Sequence, residues 1–380
     1  MTNRERILAV LDGRRPDRIP WVPRLGIWYR ANKLAGTLPP EYRDMSLRQV
    51  ELDVFGGTAA RKGRIWESEL DGVEIRARKH NGSRLVEYVT PVGAVSTEFR
   101  RSEQPGSQGM CEMQVGFMLK RPEDYPVVQY IVEHTRYTPA FDEYERYERE
   151  IGDDGYPMII TGDCPFHYWM QQLAGYDNAF FHLHDHAAVV ERLLDAITDH
   201  YRATIWRQML DSPARLLQHG IHFSTQMTPP PLFEQYILPY YQELTPLLRR
   251  SDKVVALHAD SDLGGLLPLV ERAGFGMVEC LATSPLVPLT LAQAQAAWGN
   301  RVIIWGGVPS TILEEPYSDE QFEQYMQELL ATVSSGPGPG KAFIMGISDN
   351  AMPNSKIGRI RRVSELLSRD AEAELIPNRE

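Results

Sequence analysis

Lys253-Val254-Val255-Ala256-Leu257-His258-Ala259-Asp260 is an apolar run that ends in polar residues, and the chain returns to this unit several times. Further copies occupy residues 157–163, 277–282 and 302–306; residues 342–349 close the series, and amphipathic stretches of helical period separate the copies. Buried apolar strands separated by helices are the sequence form of a parallel sheet. In a closed (β/α)8 barrel every strand C-terminus opens onto one face, where reactive groups gather. The spacing predicts such a TIM barrel and directs attention to the strand ends. These read Gly162-Asp163-Cys164-Pro165-Phe166-His167, His258-Ala259-Asp260, Glu279-Cys280, Trp305-Gly306-Gly307 and Ser348-Asp349-Asn350.

Outward from these units, Thr2-Asn3-Arg4-Glu5-Arg6 opens a short helix capped by Thr2 or Asn3 and ended before Pro16, and residues 18–23 resemble a first barrel strand. The aromatic, arginine-containing stretch 21–30 then lies at the expected mouth. Over about residues 64–110 the period changes to alternation (Val73, Ile75, Leu85, Tyr88, Val95), with Asn81-Gly82 and Thr90-Pro91-Val92-Gly93 as turns. This predicts an antiparallel β-ribbon inserted near the N-terminus, followed by a polar, lid-like loop at residues 102–109. Residues 139–151 read as an acidic surface helix, and Gly336-Pro337-Gly338-Pro339-Gly340 as a tight connection. All 380 residues fit one domain, since barrels with insertions reach this size.

A net charge of −11 without a basic run argues against nucleic acid as the main ligand. Three cysteines are too few for a disulfide scaffold, which favours a reducing cytoplasm. No apolar stretch approaches the roughly 20 residues needed to span a bilayer, and the charged N-terminus does not read as a signal peptide. A small molecule is the expected ligand; nothing in the sequence sets an oligomeric state.

Several segments together resemble the uroporphyrinogen decarboxylase superfamily: Asn3-Arg4-Glu5-Arg6-Ile7-Leu8 through Pro16-Asp17-Arg18-Ile19-Pro20, the Thr90-Pro91-Val92-Gly93 turn, Gly162-Asp163-Cys164-Pro165-Phe166, Leu238-Pro239-Tyr240-Tyr241, His258-Ala259-Asp260 and Asp349-Asn350-Ala351-Met352-Pro353. The resemblance implies a (β/α)8 barrel. It also implies one of two chemistries: cofactor-free decarboxylation of uroporphyrinogen, or zinc-dependent methyl transfer involving a corrinoid protein. Decarboxylases of this superfamily carry an arginine-rich loop after the first strand. Here that loop is Pro23-Arg24-Leu25-Gly26-Ile27-Trp28-Tyr29-Arg30, with only Arg24 and Arg30, and a substrate with eight carboxylates would want more cations. The methyltransferases typically show His-x-Cys where this chain has His258-Ala259-Asp260, and a later cysteine near the position of Asp349.

Replacing both cysteines by aspartate changes the metal argument without removing it. His258 and Asp260, two apart on an extended strand, point the same way, and imidazole and carboxylate both ligate zinc at about 2.0–2.2 Å. Glu279 or Cys280 could add a third ligand; simple alternation sends these neighbours to opposite faces, so at most one of them faces inward. The reading without a metal is a buried His258 bonded to Asp260, with Cys280 a small core residue. The His182-Leu183-His184-Asp185-His186 cluster reads as a lead-in to a helix capped by Asp185 rather than a metal site.

The preferred reading is a methyltransferase that takes a methyl group from a small methoxylated or methylated compound and passes it to a corrinoid protein. Asp163, His222 and Asp349 bind or protonate the leaving oxygen, and Zn2+ is held by His258, Asp260 and Glu279 or Cys280. Arg24, Trp28, Tyr29, His167, Gln226 and Trp305 line the substrate pocket, its rings suited to stacking on a flat ligand. Two alternatives stand: a metal-independent decarboxylase with Asp163 or Asp260 stabilising a protonated ring and Arg24 holding a carboxylate, and a corrinoid- or tetrapyrrole-binding protein without turnover.

Overall fold

The computed structural model describes residues 1–80, 82–101, 112–336 and 342–374. The expected lid at 102–109, Asn81 of the first turn and Pro337-Gly338-Pro339-Gly340 lie outside the described residues.

Twelve strands are present among the described residues: β1 (Trp66–Leu70), β2 (Glu74–His80), β3 (Ser83–Thr90), β4 (Gly93–Arg100), β5 (Met113–Gly116), β6 (Thr135–Pro139), β7 (Met158–Ile160), β8 (Leu216–Ile221), β9 (Val254–His258), β10 (Met277–Leu281), β11 (Ile303–Pro309) and β12 (Phe343–Ser348). The last six form one parallel sheet in chain order, each separated from the next by helix. Their residues are almost all buried, as strands covered on both faces must be.

Backbone bonds extend this sheet at both ends. Val22 N–H donates to Met345 O and Met345 N–H to Pro20 O, each at 2.8 Å, so the segment around Trp21 runs parallel to β12. At the other edge Met158 N–H donates to Ala60 O at 3.0 Å. Eight segments thus stand in a row, and Val22, Ala59, Met158, Leu216, Ala256, Met277, Ile303 and Ile344, from all eight, pack into a single apolar cluster. Ile7, Val10 and Leu11 join it from the helix Asn3–Leu11, which sits under the strand N-termini. That helix starts with a reciprocal cap: the Thr2 hydroxyl accepts from Glu5 N–H, and the Glu5 carboxylate accepts from Thr2 N–H. The strand N-termini are therefore packed with hydrocarbon, which leaves the strand C-termini for a candidate polar centre.

The inserted antiparallel element is larger than a ribbon: β2, β3, β4 and β5 pair in order as a four-stranded sheet. β1, expected within the ribbon, pairs instead with β6, Trp66 opposite Pro139. The acidic helix consequently begins at Phe141, because Pro139 ends a strand. Asp185 does not cap a following helix: it lies in the last turn of the helix Tyr176–Asp185, beside the His184 ring at 2.8 Å. No helix among the described residues is long and apolar enough to cross a membrane.

Candidate active site

At the strand C-termini the side chains form a connected polar centre. His258, the last residue of β9, directs Nδ1 at the Glu279 carboxylate of β10 at 2.6 Å and Nε2 toward Asp260 at 3.7 Å. Asp260 accepts the His222 imidazole Nδ1 at 2.8 Å, His222 lying just beyond β8. On the other side Cys280 Sγ accepts the Asp349 N–H at 2.9 Å and lies 3.5 Å from Arg24, whose guanidinium is 3.6 Å from the Asp349 carboxylate. Among the described residues, two sets of donor atoms each lie within 4.8 Å of one another: His222, His258 and Asp260, and His258, Cys280 and Asp349.

The electrostatics of the centre oppose its burial. Desolvation disfavours ionised Glu279, yet the Arg61 guanidinium and the His258 imidazole outweigh it and hold the carboxyl well below its usual range. Asp260 behaves alike: burial resists ionisation, while hydrogen bonds from His222 and His258 carry it well below the ordinary value. Burial would strip His258 of its proton, but the facing Glu279 reverses this and raises it well above a free imidazole. Burial also pushes the Cys280 thiol up. Two ionised carboxylates thus flank one imidazole, an arrangement able to hold a proton or a cation between them.

Local backbone geometry aims these groups. His222, Cys280 and Asp349 all adopt left-handed backbone, with φ of 60°, 65° and 66°. At Cys280 this accompanies a register shift between Glu279 and Leu281 along β11, a bulge that places an extra residue on β10. The expectation that Glu279 and Cys280 face opposite ways is overturned: the bulge turns both toward His258. Glu279 is nonetheless engaged with His258 Nδ1, Arg61 and Arg24, and stands behind the imidazole rather than in either donor set.

The expected pocket residues divide. Arg24 reaches the centre, and with Arg61 and Asn350 it borders an adjoining cavity of about 500 Å³ whose apolar walls include Leu25, Ile27 and Tyr147. Trp28, Tyr29, His167 and Trp305 do not form an open aromatic mouth; each is buried. Trp28 donates its indole N–H to Ser355 O at 3.1 Å, the Tyr29 hydroxyl bonds Met45 O at 2.6 Å, and Trp305 Nε1 bonds Val22 O at 3.2 Å. For Trp28 and Tyr29 the physical reason is that residues 26–35 form a helix packed on the core rather than an open loop; His167 is buried in the short helix Pro165–Tyr168, and Trp305 inside the fully buried strand β11. Gln226 is exposed and lies 3.4 Å from Asp262. Asp163 is buried beneath His167, which binds it through Nδ1 at 2.7 Å.

Two participants carried no clear motif. Arg61, delivered by a left-handed Ala60 (φ 47°), bridges Glu279 and Gln218. Gln218 was visible as a buried polar residue inside the otherwise apolar Leu216–Ile221; Arg61 had no such signal.

Among curated proteins no relative matches the chain. Among solved structures it is similar to a methyltransferase from Methanosarcina mazei at 14% identity, with a TM-score of 0.57 over 99% of both chains, a likeness of fold. The uroporphyrinogen decarboxylase (URO-D) family model matches residues 118–369, about two-thirds of the sequence and including His222, His258, Asp260, Glu279, Cys280 and Asp349. By that match, the chain belongs to the URO-D family.

Proposed function

We propose that the protein is a methyltransferase that takes a methyl group from a small methoxylated or methylated substrate and passes it to a corrinoid protein, working in the cytoplasm. In this reading its eight segments close into a (β/α)8 barrel. The observation that carries the proposal is the gathering of imidazole, carboxylate and thiol donors within 4.8 Å at the strand C-termini. The fold likeness to a methyltransferase supports it.

The donors present fit a zinc ion. His222, His258 and Asp260 offer two nitrogens and a carboxylate oxygen, with Asp260 already ionised. The second set shares its space with the Arg24 guanidinium and suits a cation less well. Zinc, when bound, supplies a Lewis acid that stabilises charge developing on a substrate oxygen. The chain's own residues prepare for that. Glu279 holds His258 Nδ1 and so presents Nε2, while Arg61 pins Glu279. Asp349, which accepts the Asn350 side-chain N–H at 2.9 Å and lies within 4.8 Å of the His258 ring nitrogen, orients the substrate oxygen. The cavity beside Arg24 holds the rest of a small substrate. The corrinoid partner supplies the nucleophile that an ether carbon requires.

Two measurements test this. Protein prepared with zinc and without chelators should contain about one zinc per chain, lost on His258→Ala. Methoxybenzoates or methoxyphenols incubated with reduced cobalamin should yield methylcobalamin by absorbance. Release of carbon dioxide from uroporphyrinogen, with no methylcobalamin from any ether, would transfer the protein to the decarboxylase reading.

A further inference from the structure

The cavity beside Arg24 carries groups that the polar centre does not use. Glu51, on the helix Leu47–Phe55, and Lys62, next to Arg61, both line it and belong to neither donor set. Glu51 is 5% exposed, and its Oε2 accepts the Thr58 hydroxyl at 2.7 Å. Its Oε1 has no hydrogen-bond partner among the described residues and is not sealed within the protein, so it opens into the space the residue borders. Burial pushes the Glu51 carboxyl up to about 7, although Thr58, Lys62 and Arg48 pull the other way. Below that pH it keeps its proton; with Oε2 accepting from Thr58, the hydrogen sits on Oε1, the oxygen left to a ligand. The surrounding charges favour an anion. Arg24, Arg48 and Arg61 also line the cavity, but each meets a carboxylate: Asp349, Asp154 and Glu279. Lys62 makes no ion pair and no side-chain hydrogen bond among the described residues, and its charge acts on Glu51. The other titratable groups on the wall are Glu150 and Arg30, both exposed, and Tyr147, whose hydroxyl accepts Lys62 N–H at 3.2 Å. Apolar surface includes Leu25, Ile27 and Ile160, the last residue of β7 and 47% exposed at the end of an otherwise buried strand.

We propose that Glu51 and Lys62 form a carboxylate-binding subsite, so that the substrate is a methylated or methoxylated organic acid rather than an alcohol or an amine. Only the methyl group of that substrate rests on the methyltransferase reading; the subsite itself follows from the cavity. Lys62 Nζ supplies a full charge and Glu51 Oε1–H a hydrogen bond to the same carboxylate, a charge-assisted pair. The apolar body then lies against Ile160, and the methyl-bearing end points toward Arg24 and Asn350, the lining residues in contact with Asp349 of the polar centre. Once Glu51 ionises, its donor is lost and two carboxylates repel, so binding weakens as pH rises through about 7. An ammonium substrate would meet Lys62 where it needs an anion, and an alcohol leaves the Lys62 charge unanswered.

Isothermal titration calorimetry of the full chain, without any corrinoid, against 4-methoxybenzoate, 4-methoxybenzyl alcohol and 4-methoxybenzylamine reads the subsite directly. At pH 6 the acid should bind at least about 10-fold tighter than the alcohol, and the amine more weakly still. The Kd of the acid should rise about 10-fold between pH 6 and pH 8. Lys62→Met, an exposed change that leaves the fold intact, should weaken the acid about 10-fold and leave the alcohol unchanged. Glu51→Gln keeps a donor and cannot ionise, so it should hold the acid at pH 8 as tightly as the wild type does at pH 6. An acid that binds no tighter than the alcohol, a wild-type affinity independent of pH over this range, or Lys62→Met without effect would overturn the subsite. If the acid binds as expected but gives no methylcobalamin with reduced cobalamin, the methyltransferase reading fails and the subsite stands. Methyl transfer from the alcohol as efficient as from the acid would refute the subsite and keep the methyltransferase reading.

Discussion

His222, Cys280 and Asp349 hold a left-handed backbone that costs a residue with a side chain on the order of 1–3 kcal/mol, and all three belong to the polar centre. Such a cost persists only where surrounding bonds impose it, as the Asp349 N–H on Cys280 Sγ does here. Glu279 is the residue on which the centre turns, since it sets which His258 nitrogen faces the donors. Glu279→Gln should weaken zinc binding about 10- to 100-fold, read by competition with a chelator, because a neutral amide orients the ring less firmly. Glu51 offers a separate test. Burial pushes its carboxyl up to about 7, with the Thr58 hydroxyl as partner at 2.7 Å. A raised folded value means that the folded state binds the proton more tightly, so stability falls as pH rises from about 4.5 through 7. Glu51→Gln should recover about 3 kcal/mol at pH 8 and far less at pH 5, measured by urea unfolding at the two pH values.

At the scale of elements, the bulge in β10 decides the site more than any single side chain. Strict alternation assigns Glu279 and Cys280 to opposite faces, and a bulge is invisible to periodicity because it depends on where β11 and β9 make their bonds. The same sheet shows a glycine acting by close approach. A Cβ on Gly346 would sit 2.7 Å from Trp305 Cδ1 and 2.8 Å from its Nε1, so the bare backbone of β12 makes room for the indole. Gly346→Ala should destabilise the protein by about 1–3 kcal/mol, seen as a lower urea midpoint with an unchanged slope. The aromatic residues expected at the mouth became core for a similar reason: a helix beginning at Gly26 turns Trp28 and Tyr29 inward, and the sequence pattern of residues 21–30 did not separate loop from helix.

At the scale of the whole molecule, the two ends of the chain complete each other. The segment around Trp21 covers the open edge of β12, and the helix Asn3–Leu11 seals the apolar end of the interior. Deleting residues 1–22 would expose both the edge and the cluster of Met158, Leu216, Met277 and Ile303. The shortened protein should lose its cooperative unfolding transition and aggregate, as circular dichroism and light scattering would show. The parallel sheet itself was legible from residues 253–260 and their repeats, since strands buried on both faces must be apolar throughout and helices must join them. The sequence alone determined that architecture, the end of the sheet where the polar side chains of the centre gather, and His258 and Asp260 as neighbours, because each follows from local period and from the handedness of β-α-β connections. Only the tertiary structure decided that Arg61 clamps Glu279, that Cys280 turns inward beside it, and that the buried Asp163 carboxylate is engaged by the His167 ring. Those contacts join residues distant in sequence through bulges and left-handed turns, whose geometry is set by the neighbours they meet and not by any pattern along the chain.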